Sequence, residues 1–548
     1  MSNNTAKPKP KSYHLFMYLF SAAEERKVAE KREITQNWIP ADYDKANSDY
    51  SLYNYLLPKA RNLLFPDVGN NISLKYYKYN LKQENSYAYE IEYSVKTESN
   101  TIIPAEKISL SVKDISLLYD EKLCVGILSF YLQNSFDDLK IIKIINDYGR
   151  RVYSPIKDHS ALITADRLSI RNCDTNETLM ELNLQNGVDI EENKNCQKTK
   201  NISSLIGFST EPFMDDRMFT MCAIVDNKLS RQVNSLNFNF YDCSDLVKNI
   251  YEIIFVDRDG NCSCQDYFMR ADLLKKHSYT RWKNYGTLYG LTEYSMTCIT
   301  AEGSFTPYTI DSFLYEYSEL VRIVLFQRAI ATKLGSEIDN ARKEDDKNRL
   351  LYKPDTIYEM YAKYIYFQNN YVMTDATYQD QGEDIYRMLK DFLNVDQIMA
   401  LLDQEMHNVQ AWSTFNENQQ REKAEKKQND VFTALTIIGA SYTAAQIAIT
   451  VVNISRQPDG IKIIDYSLVE ILLVIALIIC FCLFKLLRIR KMDSREMAIF
   501  IGLVILMIAS CIGAGLFAIN NRYVSDSFLL FIIILVIIVF LAANNKVQ

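Results

Sequence analysis

The stretch FTALTIIGASYTAAQIAITVVN, residues 432–453, decides how this chain is read. Within it Thr436, Gly439, Thr443, Gln446, Thr450 and Asn453 recur at intervals of three and four residues. A helix places such positions in one polar or small stripe along one side. At bilayer depth polar side chains are costly unless they face water or a neighbouring helix. Two readings follow: a pore wall repeated around an axis, with Thr436, Thr443, Gln446, Thr450 and Asn453 lining it, or a dry seam between packed helices. No Asp, Glu, Lys or Arg lies inside the stretch, so no charged selectivity ring is expected there.

Three more apolar runs follow, 466–484, 497–519 and 527–543, each near the ~20 residues a bilayer requires. Arg421, Lys423, Lys426, Lys427, Lys485, Arg488, Arg490, Lys491 and Arg495 flank the spans on one side. Arg456, Lys462 and Arg522 flank them on the other. That asymmetry predicts a multi-pass inner (cytoplasmic) membrane protein with its N-terminal domain, middle loop and C-terminus in the cytoplasm, in contact with membrane lipid.

The rest of the 548 residues supports several domains. Net charge is −7, which argues against direct nucleic-acid binding but leaves room for a local basic pocket. Eleven cysteines are scattered without zinc or disulfide spacing, and His14, His159, His277 and His407 stand far apart. This pattern suits a reducing cytoplasm, and residues 1–11 show no signal-peptide core. No Ser/His/Asp, Cys/His or paired-carboxylate arrangement is evident, so an enzyme is not expected.

Residues 1–306 read as a mixed α/β sensor domain. Strand-like runs cover 13–20, 74–79, 87–95, 107–118, 124–132, 161–170, 218–225 and 289–300, with a polar loop at 189–200. A helix is expected from Ser135, with Ser135 and Asp138 as a capping box and Gly149 as the stop. Residues 307–430 read as a helical stalk, with helices at 309–343, 354–371 and from Asp380 onward. No Pro or Gly occurs between Glu383 and Val431, which predicts one helix running on into residues 431–453. The alternative is a break near 416–420.

Two clusters suit an anionic ligand. Asn146-Asp147-Tyr148-Gly149-Arg150-Arg151-Val152-Tyr153 pairs forked guanidinium donors with rings that stack; its structural reading is a helix end with surface salt bridges. The candidate residues there are Asn146, Arg150, Arg151 and Tyr153. In 279–292, Arg281, Trp282, Thr287 and Thr292 stand beside Gly286 and Gly290, where the backbone could approach a ligand; the other reading is a turn between strands. Neither cluster is a P-loop or dinucleotide fingerprint. Asp375, Asp380, Glu383 and Asp384 suit either a regulatory divalent cation or a solvated helix face.

Residues 307–453, with Tyr366-Phe367-Gln368-Asn369 leading to Asp375-Ala376-Thr377-Tyr378-Gln379-Asp380-Gln381, resemble the stalk and pore helix of the CorA superfamily of divalent-cation channels. The family's Gly-Met-Asn signature is absent, the corresponding place reading Val451-Val452-Asn453, and four spans replace the usual two. The large N-terminal domain looks more like the CorA-like membrane effectors of type III CRISPR systems. The resemblance implies a homo-oligomer, pentamer or tetramer. It also implies gating by a small nucleotide second messenger, an adduct of S-adenosylmethionine and AMP, and antiviral action through lost ion gradients. A constitutive magnesium transporter and a pore-less membrane sensor or scaffold are the alternatives. The expected fold is thus an α/β cytoplasmic domain, a long helical stalk and a C-terminal bundle of four transmembrane helices.

Overall fold

The computed structural model describes residues 10–22, 37–66, 72–81, 86–96, 102–154, 164–184, 200–213, 216–236, 244–260, 262–341, 343–344, 350–351 and 354–454. The chain divides into two compact units, 1–411 and 412–548.

The first unit is built on strand β1 (Ser12–Ala22), whose run of apolar and aromatic residues is almost wholly buried. A strand apolar on both sides belongs in the middle of a covered sheet. It pairs antiparallel with β6 (Val125–Asn134) and β10 (Phe219–Val225). Beyond β6 lie β5 (Ile102–Asp120), β4 (Tyr87–Lys96), β7 (Arg167–Asn172) and β8 (Thr178–Asn183). Beyond β10 lie β13 (Ser295–Thr300), β12 (Leu288–Leu291) and β11 (Ser278–Tyr279); β10 and β13 run parallel. Strands β2 (Trp38–Ala41), β3 (Leu74–Tyr79) and β9 (Thr210–Pro212) attach at the side, making thirteen strands.

The alternation of β1 sends its residues into two cores. Leu15, Met17 and Leu19 join a core with α1 (Tyr50–Tyr55), α2 (Pro58–Leu64), α9 (Tyr317–Ala341), α10 (Pro354–Asn370), α11 (Asp380–Phe392) and the start of α12 (Val395–Ile454). Phe16, Tyr18 and Phe20 face α3 (Leu139–Gly149) and α4 (Ile202–Ile206). Beside these, α5 (Asn227–Ser235), α6 (Asp245–Ile254) and α7 (Tyr267–His277) cover Cys222, Ile224 and Ile299. A short α8 (Thr306–Asp311) and one π-helical turn (Ser312–Glu316) lead into α9. The stalk helices therefore share a core with one sheet face.

Several elements depart from their expected bounds. Asp138, not Ser135, caps α3, its carboxylate accepting from Lys140 N at 2.8 Å. Asn134 Oδ1 accepts from Phe136 N, which holds the preceding residues in a turn. Gly149 is the last residue of α3, and it packs against the Phe16 ring, from which a Cβ would sit 3.0 Å away. The expected continuous helix from Glu383 breaks at Asn394, which adopts φ 51°. Leu393 and Val395 are both fully buried, and one straight helix cannot place residues two apart on the same face. The 60-residue α12 then runs unbroken through 416–420.

Among the described residues no helix is long and apolar enough to cross a membrane. This overturns the expected bundle of four transmembrane helices, the membrane ion-channel description and the multi-pass inner-membrane placement. Residues 432–453 form the C-terminal part of α12. There Thr436 and Gln446 interrupt the apolar run, and the turns before it, Gln419–Asp430, are polar, charged and exposed. Thr436 donates to Phe432 O at 2.8 Å, and Gln446 is exposed. Thr443, Thr450 and Asn453 lie on the same helix, but the stripe has no membrane helix to serve as its pore wall. The runs 466–484, 497–519 and 527–543 and residues 189–199 of the expected loop lie outside the described residues.

Candidate functional site: a buried arginine cluster at the end of α3

Helix α3 carries Lys143, Asn146, Asp147 and Arg150 on one side, and all four are buried. Such a polar stripe inside a fold requires partners, since unpaired buried polar groups are costly. Lys143 meets Glu252 of α6, both side chains 1% exposed, and also donates to Asn249 and Asp259. Asn146 Oδ1 lies 2.7 Å from His14 Nδ1, whose Nε2 contacts Ser12 Oγ at 2.8 Å. Burial pushes the His14 pKa down to about 4 despite the Asn146 bond, which keeps the ring neutral.

At the helix end the chain is pinned to the strand before β10: Met218 N donates to Arg150 O and Val152 N to Asp216 O. This brings Arg217 beside Arg150 and Arg151, while the loop after α6 adds Arg258. Arg151 is bonded to Asp216 and lies 3.3 Å from Asp147; Arg258 Nε lies 2.8 Å from the same Asp147 and its Nη1 donates to the Tyr148 hydroxyl. Arg217 Nε is 3.6 Å from Asp216. The guanidinium groups of Arg150 and Arg217 stand 4.9 and 5.3 Å from the centre of the Tyr294 ring.

Arg150 differs from its neighbours. It is 2% exposed, its nearest carboxylate contact is Asp147 at 3.9 Å, and its Nε and Nη1 have no hydrogen-bond partner among the described residues. Burial pushes its pKa down to about 10, Asp147 opposing and Arg151 and Arg217 reinforcing the shift. Asp147 and Asp216 are already engaged by Arg151, Arg258 and Arg217. Among the described residues Arg150 Nε and Nη1 thus meet no acceptor, a forked donor set of the kind that takes a phosphate or carboxylate. Val256, two residues before Arg258, holds φ 56°, a conformation β-branched residues rarely adopt.

The sequence-selected residues separate. Arg150 and Arg151 belong to the cluster, and Asn146 supports it from the His14 side. Tyr153 is half-buried near the Tyr18 hydroxyl. The second group is tied into the fold elsewhere. Arg281 pairs with Asp380 and Asp384 at 3.2 and 3.3 Å, and Trp282 Nε1 donates to Gln381. Thr287 bonds Thr300 and Thr292 bonds Ser295. Gly286 (φ 75°) lies against Ser230, and a Cβ on Gly290 would meet Ile254 at 2.3 Å, so close packing explains both glycines. Of the acidic residues, Asp375 and Glu383 contact Arg387 at 3.3 and 2.7 Å, and no metal-holding group occurs among the described residues.

Arg217, Arg258 and Tyr294 were not selected from sequence. Their only sequence signal is a cation or ring beside a turn, and the sheet pairing brings them together. Neither a family model, a curated protein nor a solved structure matches the chain.

Proposed function

We propose that this chain is a ligand-responsive regulatory protein, not an enzyme, whose arginine cluster takes a small phosphorylated ligand. The observation that carries the reading is the buried Arg150 guanidinium with two unmatched nitrogens. An anion arriving there removes an uncompensated charge and meets donors already in place, so little reorganisation opposes binding. The Tyr294 and Tyr148 rings hold the Arg150, Arg217 and Arg258 guanidinium groups around that point. The adduct of S-adenosylmethionine and AMP implied by the CorA-like resemblance carries a phosphate, two adenines and a sulfonium cation, and is the first ligand to test.

A route for the response starts at the same ring. Tyr294 Oη donates to Phe255 O at 3.2 Å, and the Phe255 ring packs edge-on against His277, 4.9 Å between centres. His277 stacks on Phe392 at 4.1 Å, two residues before the left-handed Asn394 that separates α11 from α12. A ligand that binds one arrangement of Tyr294 more tightly shifts the equilibrium between arrangements of the α11–α12 junction only by that difference in affinity.

Calorimetry on the whole chain tests the proposal. The adenylate adduct should bind, and Arg150→Met should weaken it at least tenfold, while Arg281→Ala leaves the affinity unchanged. Equal affinity for wild type and Arg150→Met would remove the site.

A further inference from the structure

A cleft of about 440 Å³ opens on the opposite sheet face between α2, the β5–β6 turn and α10. Its size falls in the roughly 300–1,000 Å³ range of small-molecule sites. The floor is apolar: Leu63, Ile72, Ile365 and the Tyr366 ring. Lys59, Lys122, Asn62, Asn369 and Asn370 complete the lining with two ammonium groups and three amides.

The two ammonium groups are held in place without being neutralised. Lys59 Nζ donates to the Gln368 carbonyl at 3.1 Å, and Lys122 Nζ stands 4.3 Å from the centre of the Tyr366 ring. Neither has a carboxylate within 4.0 Å among the described residues. The neighbouring carboxylate, Asp120, is fully buried behind the ring. It already accepts from Ser73, Tyr366, Tyr371 and the backbone N–H groups of Lys122 and Leu123. The turn itself is fixed, with Cys124 at φ 53° and Lys333 donating to the Leu123 carbonyl at 2.8 Å.

We infer that this cleft is a binding site for a small phosphate monoester of mononucleotide size, separate from the arginine cluster. The phosphate lies between Lys59 and Lys122, the apolar floor takes a ring or sugar face, and the three asparagine amides supply donors and acceptors to its edge. Because α2, the β5–β6 turn and α10 all contribute lining, an occupant ties α2 and the turn to α10. The inference stands on these residues alone and does not depend on the Arg150 reading.

AMP and inorganic pyrophosphate, titrated into the whole chain, serve as probes. Wild type and Arg150→Met should both bind AMP at this cleft, and Lys59→Glu with Lys122→Glu should weaken that binding at least tenfold in the Arg150→Met background. Both lysines are exposed, so thermal unfolding should not change. In a parallel measurement, AMP should slow acetylation of Lys59 and Lys122 relative to Lys45. Loss of all AMP binding in Arg150→Met overturns the inference. So does undiminished binding in the lysine double variant, or no protection of the two lysines.

Discussion

Two buried arginines lie on opposite faces of the one sheet, and each has an acidic residue three positions before it in its helix. On the α9 face Arg322 is bonded directly to Glu319, whose other oxygen accepts from Tyr43 at 3.0 Å. On the α3 face Arg150 reaches Asp147 only at 3.9 Å, because Arg151 and Arg258 hold that carboxylate. Burial opposes the charge on both. At Arg322 burial is the largest single influence, but Glu319, Tyr43, Tyr76 and Asp114 together outweigh it and raise the pKa, whereas at Arg150 burial prevails and lowers it to about 10. A completed ion pair leaves both buried charges answered within the helix; an incomplete one leaves charge for something else to answer. The same residue type at the same helical spacing thus does two different jobs.

The sharpest way to break this contrast is to remove Arg322. Arg322→Met strands Glu319 as an uncompensated buried carboxylate, and losses of that kind run to about 3–5 kcal/mol. A large drop in denaturant midpoint is expected, with Glu319→Leu in addition recovering much of it. If Arg322→Met unfolds like wild type, the α9 pair is not structural.

The two faces should also separate in acid. His14 lies on the α3 face with its folded pKa near 4, below the ordinary 6.5. Neutral above pH 6.5, it contributes no pH dependence there. As pH falls from 6.5 toward 4 the unfolded chain takes up a proton that the folded chain refuses, so stability declines, by about 1.4 kcal/mol per pH unit at most. His14→Gln should flatten that part of the stability curve relative to wild type. Matching slopes for both proteins between pH 4 and 6.5 would show that the ring is protonated in the fold.

Arg150→Met is the complementary test, with a smaller effect on stability. Since Asp147 keeps Arg151 and Arg258, no buried carboxylate is stranded, and the change should cost under about 1 kcal/mol or even stabilise the protein. Its effect appears in ligand binding. A stability loss as large as that of Arg322→Met would make the two arginines equivalent and end the contrast.

How much of this was legible beforehand depends on distance along the chain. β3 at Leu74–Tyr79 coincides with its predicted run, because alternation and flanking turn residues are local signals. The Arg150–Arg151 pair after Gly149 was visible for the same reason. Arg217, Arg258 and Tyr294 were not, since only the β1–β10–β13 pairing brings them to α3. The Glu319–Arg322 spacing could have been read as a helix pair, but not its burial, which the sheet imposes. Asp380 and Asp384 were noticed as acidic and Arg281 as basic, yet nothing local says that they meet. The break at Asn394 was missed because no Pro or Gly marks it. The membrane reading rested on four apolar runs and the basic residues flanking them; of these only 432–453 falls among the described residues, where it continues α12, and no described helix is long and apolar enough to cross a membrane.

The smallest effect is expected where sequence suggested a site and the fold supplies partners. Arg281 is 41% exposed at its side chain and pairs with the still more open Asp380 and Asp384, so water and salt screen the contact. Arg281→Ala should leave the unfolding midpoint within error of wild type at 0.15 M salt and bind the adenylate adduct as wild type does. Trp282 keeps its bond to Gln381, and the helix start of α11 retains Asp380 and Glu383 in its first turn, where acidic residues favour the helix dipole. A ligand affinity that falls as far in Arg281→Ala as in Arg150→Met would move the recognition site from the end of α3 to the edge of β11. The completed pair would then prove no safer a guide to structure than the incomplete one.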